Sequence, residues 1–160
     1  MTIMKYTVWL LLTFLSSGTI YAQSFDDSKQ ESDNVRETVM TLFDGMEKSD
    51  GDVLRSVLDG NATLHTVRTA DEAAELVETD MNEFIESVEE AEPGSLIEEI
   101  LYISVNVDGA LATAWMDYHF YRGVEFSHCG VNTMNLIKKG GDWKIFSIVD
   151  TRRTEDCLDE

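Results

Sequence analysis

Ile97-Glu-Glu-Ile-Leu-Tyr-Ile-Ser-Val-Asn-Val107, then Asp108-Gly109, then Ala110-Leu-Ala-Thr-Ala-Trp-Met-Asp-Tyr-His-Phe-Tyr121 is the stretch whose reading decides the fold. Its first arm is rich in β-branched residues, which suit a pleated, half-buried surface. An Asp-Gly pair between two such arms is a strong hairpin signal, because glycine supplies the positive φ that tight hairpin turns need. With Asp108-Gly109 as the turn, Val107 faces Ala110, Val105 faces Ala112, Ile103 faces Ala114 and Leu101 faces Met116. This apolar set, continued by Tyr118 and Phe120, is expected to face the core. The alternate set, Thr113, Trp115, Asp117, His119 and Tyr121, is expected on the outer face, either exposed or at an interface between subunits.

Outward from the hairpin, a turn around Gly123 sends Phe126 to Lys138 back, and Gly140-Gly141 turns the chain into Trp143 to Thr151. That makes a four-stranded antiparallel meander. The first half reads as helices. Asn34 and Glu37 form a capping-box pattern, and Val35, Val39, Leu42, Phe43 and Met46 fall on one helical face. A short helix follows, capped by Asp52 and packing Val53, Leu54, Val57 and Leu58, and ended by Asp59-Gly60-Asn61. Ala62 to Val67 and Ala74 to Val77 are short strand candidates. Asp80 and Glu83 open a third helix with Met81, Phe84, Ile85 and Val88 inward, stopped by Pro93-Gly94. Helices followed by strands indicate an α+β domain with the helices on one face of a curved sheet.

The first residues predict export. Lys5 supplies a positive start, Thr7 to Leu15 is an uncharged apolar run, and small and polar residues lead to Ala22. The run falls well short of the ~20 residues that span a bilayer. Residues 1–22 are therefore read as a cleaved signal peptide, 23–33 as a flexible lead-in, 34–153 as the domain and 154–160 as a tail. The expected address is secreted or periplasmic, with no stable membrane association after cleavage. The net charge is −19, and losing Lys5 makes the remainder more acidic still. Nucleic acid and anionic membranes would be repelled. Cys129 and Cys157 can pair in an oxidising compartment if their Cα atoms come within ~4.4–6.8 Å. Two cysteines without a histidine pair at ligand spacing make a zinc site improbable, and there is no calcium-loop motif. No metal and no cofactor is expected.

Three local stretches carry a resemblance: Phe43-Asp-Gly-Met-Glu-Lys-Ser-Asp50, Asn82-Glu-Phe-Ile85 and Gly141-Asp-Trp-Lys-Ile145. With the order of elements, they resemble the nuclear transport factor 2-like, or SnoaL-like, superfamily over residues 34–153. Phe126-Ser-His-Cys-Gly130 and Asp150-Thr-Arg-Arg153 are similar to a secreted bacterial group within it. The resemblance implies a cone in which three N-terminal helices pack on a strongly curved antiparallel sheet, leaving a cavity at the open end. In ketosteroid isomerase and scytalone dehydratase, polar side chains in such a cavity do acid–base chemistry. No catalytic stretch of theirs aligns here, and this fold also serves pure binding modules.

Candidate pocket residues therefore come from strand alternation. On the strand after Gly123, Phe126, His128, Gly130, Asn132, Met134 and Leu136 form the expected inward set. A buried Asn needs hydrogen-bond partners, and Gly130 leaves room for a close neighbour. Pairing across Gly140-Gly141 places Leu136 opposite Ile145 and Asn132 opposite Val149, with Asp150 and Arg152 outward. A single bulge near Ser147 would swing Asp150 and Arg152 inward beside His128.

In that second case His128 and Asp150 would be an acid–base pair, with Arg152 holding an anion and Tyr118 a second donor. In the first, Asp150 and Arg152 are a structural ion pair. His65, on the first strand, is a further candidate for the cavity. Adjacent residues face opposite ways, so Ser127-His128-Cys129 is not expected to form a hydrolase triad. The readings that remain are a small-molecule-binding protein, a homodimer using the outer face of the sheet, and an isomerase or dehydratase.

Overall fold

The turn at the centre of the deciding stretch closes one residue later than expected. The computed structural model describes residues 17–70 and 73–158. In it β3 (Leu96–Asp108) and β4 (Leu111–Arg122) are joined by Gly109-Ala110, with Gly109 at φ +59°. Asp108 pairs with Leu111, Val107 with Ala112, Val105 with Ala114 and Ile103 with Met116. The register is offset by two positions, so the expected faces survive, since only an odd slip exchanges them. Ala112, Ala114, Met116, Tyr118 and Phe120 are all buried on the inner face.

The remaining elements are α1 (Ser17–Lys48), α2 (Gly51–Val57), β1 (Leu58–Ala70), β2 (Ala73–Thr79), α3 (Met81–Glu89), β5 (Glu125–Lys139) and β6 (Asp142–Thr151). One six-stranded sheet runs β2-β1-β6-β5-β4-β3, antiparallel except where β1 and β6 pair in parallel. Three helices and a curved, unclosed sheet make the α+β cone that the resemblance implied. Val35, Val39, Leu42, Phe43 and Met46 of α1 are buried against it, the single apolar face read from their spacing.

Local chemistry explains the element ends. Asp80 caps α3, accepting hydrogen bonds from the backbone N–H groups of Asn82 at 2.8 Å and Glu83 at 3.1 Å. Asp50, not Asp52, caps α2, accepting from Asp52 and Val53. Asp59-Gly60-Asn61 lies inside β1 instead of after α2. The helix expected to start at Asn34 extends N-terminally through the supposed flexible lead-in. Ion pairs and amide contacts four residues apart run through it: Lys29 to Asp33 and Gln30 to Asn34. Glu31 then ties it to the sheet, accepting from Lys138 at 2.6 Å and from the Trp143 indole N–H at 3.0 Å. The apolar run of the expected signal peptide, Thr7 to Leu15, lies outside the described residues. No helix among those described is long and apolar enough to cross a membrane.

Cys129 and Cys157 form a disulfide with their Cα atoms 5.8 Å apart. The bond holds the segment after β6 against β5, where Cys129 and Arg153 also exchange both backbone hydrogen bonds at 2.9 Å. With a sequence separation of 28, loop-closure entropy gives the cross-link a stabilisation of about 3–4 kcal/mol. Cys157→Ser should lower the urea midpoint by a corresponding amount, and reductant should then have no further effect on the variant.

Candidate functional site

Three bulges shape the open end of the cone. Ile100 pairs with Tyr118 but Tyr102 with Asp117, so Leu101 is an extra residue in β3. Phe120 pairs with His128 but Tyr121 with Phe126, so Ser127 is extra in β5. Asn135 pairs with Ser147 but Leu136 with Ile145, so Phe146 is extra in β6. Counting outward from each hairpin turn, an extra residue reverses the face of every residue on its far side. Of the two placements left open for Asp150 and Arg152, the bulged one is found: Asn132 pairs with Asp150, not Val149, and both β6 residues line the cavity. Leu101 is likewise displaced from its expected place opposite Met116, and Glu98 turns inward in β3. Phe126 moves from the expected inner set to the outer face, packing edge-on to His119 and Tyr121.

The cavity between helices and sheet has a volume of about 420 Å³. Leu42, Phe43, Phe84, Val88, Met134 and Ile148 supply its apolar surface. A polar wall gathers Glu98 from β3, Tyr118 from β4, His128 and Asn132 from β5, and Asp150 with Arg152 at the end of β6. Of the residues singled out in the sequence, only His65 stays away. Its neighbours Leu64 and Thr66 are buried on the inner face, so alternation turns His65 to the other side, beside Glu78 and Val149.

The contacts within the wall differ from the expected histidine–aspartate pair. Asp150 is buried, and its Oδ2 accepts from Arg152 Nε at 2.6 Å. Its Oδ1 is buried with no hydrogen-bond partner. His128 Nδ1 instead lies 3.1 Å from Ser127 Oγ, which the bulge swings towards it. No described carboxylate bonds to the imidazole, so a hydrolase triad is not assembled. Burial holds the His128 pKa below its usual value, and the charge of Arg152 adds to that.

Glu98 is the residue that alternation missed. Asn132 Nδ2 donates to its Oε1. Burial pushes its carboxyl up to about 8, an effect that the Asn132 hydrogen bond opposes and the charge of Asp150 reinforces. The clue available in advance was the pair Glu98-Glu99 between Ile97 and Ile100, one of which alternation must turn inward; the bulge that selects Glu98 has no such marker.

Backbone contacts hold the wall in place. Tyr118 Oη donates to the Thr151 carbonyl at 2.9 Å, and Thr151 Oγ1 accepts from Val131 N at 3.1 Å. Gly130 lets this happen: a Cβ there would lie 1.8 Å from the Thr151 carbonyl oxygen. Among the described residues, no group of three or more His, Cys, Asp or Glu side chains is placed to hold a metal ion.

A family model described as "Putative lumazine-binding" matches residues 30–149. The chain belongs to this family. No curated protein matches it. Among solved structures, this family member is similar to an NTF2-like protein of unknown function from Shewanella baltica OS155, at 20% identity and TM-score 0.61, covering 79% of this chain and 96% of that one. It is also similar to a "putative dehydratase" of the NTF2-like family from Streptomyces avermitilis, at 14% identity and TM-score 0.59, covering 78% and 97%. The association domain of C. elegans CaMKII matches at 17% identity and TM-score 0.60, covering 78% and 98%. These likenesses establish the NTF2-like fold of this lumazine-binding-family chain. At such identities they carry no activity with them.

Proposed function

We propose that this is an exported protein that binds a small organic molecule in the cone and associates with a second copy through the outer face of its sheet. The observation that carries the binding reading is the cavity: about 420 Å³, apolar along the helices, with six polar side chains gathered on one wall. That composition is typical of small-molecule sites. The family description names lumazine, which makes that compound the first ligand to test. Thermal-shift titration of the disulfide-bonded protein should show a rise that saturates with lumazine or a related metabolite, and Asn132→Leu should abolish it. A saturating shift unchanged in that variant would place the ligand elsewhere.

Export is supported by the Lys5-to-Ala22 pattern and by a cross-link of the kind that persists in oxidising compartments. N-terminal sequencing of the protein recovered outside the cytoplasm should begin at Gln23. Self-association is supported by Tyr102, Trp115 and Phe126, which are large and exposed on one face. Exposed aromatic side chains are enriched at contact sites between subunits. Trp115→Glu should convert a dimer into a monomer in light scattering without lowering thermal stability.

One observation favours a second reading, an acid–base enzyme of the isomerase or dehydratase kind. Glu98 lies in the cavity, where burial raises its carboxyl to about 8 and the charge of Asp150 adds to that, within reach of what proton transfer needs. In that reading Glu98 moves the proton, in place of His128 paired with Asp150. Ligand recovered chemically unchanged after long incubation would decide for binding alone.

A further inference from the structure

The following inference rests on the binding reading and concerns the ligand's chemistry. Asn132 stands between two carboxyls, donating to Glu98 Oε1 and paired across the strands with Asp150. Asp150 Oδ2 is taken by Arg152 Nε, and Oδ1 is a buried acceptor without a partner. Buried acceptors are seldom left unpaired, because each has lost its hydration. Because Arg152 Nε is tied to Oδ2, its terminal N–H groups stay within a few ångströms of the same carboxylate by covalent geometry, and they make no hydrogen bond to Oδ1. The wall therefore offers an acceptor and donors side by side.

Its charges cancel. Arg152 offsets Asp150, while burial favours the uncharged forms of Glu98 and His128 at neutral pH. The exposed lining residues Arg122 and Glu83 add one charge of each sign. A carboxylate ligand would have to settle beside Asp150, and an ammonium ligand beside Arg152. Five flat side chains line the space: Phe43, Phe84, Tyr118, Phe120 and His128. Ring faces of this kind favour a planar guest.

We infer that the cavity selects an uncharged, planar heteroaromatic molecule through a cis-amide or imide edge, whose N–H donates to Asp150 Oδ1 and whose adjacent carbonyl accepts from Arg152. The pteridine nitrogens of lumazine are not required, because the part of the guest away from that edge meets apolar surface. The recognised feature is the edge, and an imide on a benzo-fused ring serves as well.

Isothermal titration at pH 6.5 with six probes of similar size tests this: lumazine, quinazoline-2,4-dione, its 1,3-dimethyl derivative, naphthalene, 2-naphthoate and 2-naphthylmethylammonium. Quinazoline-2,4-dione should bind within about three-fold of lumazine. Methylating its nitrogens should weaken binding at least ten-fold, the order expected for losing a hydrogen bond to a charged group. Asp150→Ala should weaken the parent dione to the same extent and leave the dimethyl compound unaffected. Equal binding of parent and dimethyl dione, or tightest binding by the carboxylate or the ammonium, overturns the inference on the wild-type protein alone. Equal binding of the dione and naphthalene overturns it but keeps the small-molecule reading. If none of the six binds, the inference falls, and the binding reading is judged by the thermal-shift titration.

Discussion

Replacing Glu98 with glutamine should stabilise the protein by about 3 kcal/mol at pH 7 and by almost nothing near pH 4.5. The sign follows from where the proton resides. Glu98 is raised from 4.5 in the unfolded reference to about 8 in the folded protein. Below pH 4.5 both states hold the proton and the group contributes no difference. Between 4.5 and 8 the unfolded chain releases it while the folded protein retains it, so stability falls as pH rises, by about 1.4 kcal/mol per pH unit. Above about 8 the loss levels off. Glutamine keeps an oxygen to accept from Asn132 Nδ2 and has no proton to release. Urea unfolding of both proteins at pH 4.5 and 7 measures the difference directly; parallel curves at the two pH values would show that Glu98 is not desolvated in the folded state.

The second large effect is at Gly130. Gly130→Ala should cost about 3 kcal/mol or more, because an added methyl meets backbone, which cannot move aside as the end of a flexible side chain can. Its Cβ would sit 1.8 Å from the Thr151 carbonyl oxygen and 3.0 Å from the Tyr118 ring. Separating β5 from β6 there also breaks the Tyr118 and Val131 contacts to Thr151. Since Thr151 lies between Asp150 and Arg152, ligand affinity should fall along with stability. An alanine variant with wild-type urea midpoint would show that the two strands do not approach so closely.

What was legible in the sequence, and what was not, follows from how a strand encodes its faces. Period-two alternation identified Met116, Tyr118, Phe120, Asn132 and Met134 as inward-facing, and the helical spacing of Val35 to Met46 identified the face of α1. Those signals are carried by many residues and survive a register error of two. A bulge is a single inserted residue that reverses everything beyond it. Leu101, Ser127 and Phe146 have nothing in their chemistry to mark them as insertions, and all of Glu98, Phe126, Asp150 and Arg152 lie beyond one of them. The polar wall is thus the part of the protein that alternation alone reads least well. A bulge near Ser147 was foreseeable as an alternative; choosing it required the pairing of Asn132 with Asp150.

The Glu31–Trp143 contact has an optical consequence. Trp143 is 4% exposed with its indole N–H held by a carboxylate, whereas Trp115 is 53% exposed on the opposite side of the sheet. Trp9, the remaining tryptophan, falls in the segment expected to be removed. The mature protein should therefore fluoresce from two indoles of different colour, Trp143 at shorter wavelength and Trp115 at longer. Undocking of the start of α1 should shift the first emission alone. A partner covering the outer face should shift the second. The protein thus carries its own separate reporters for helix docking and for association, with no added dye.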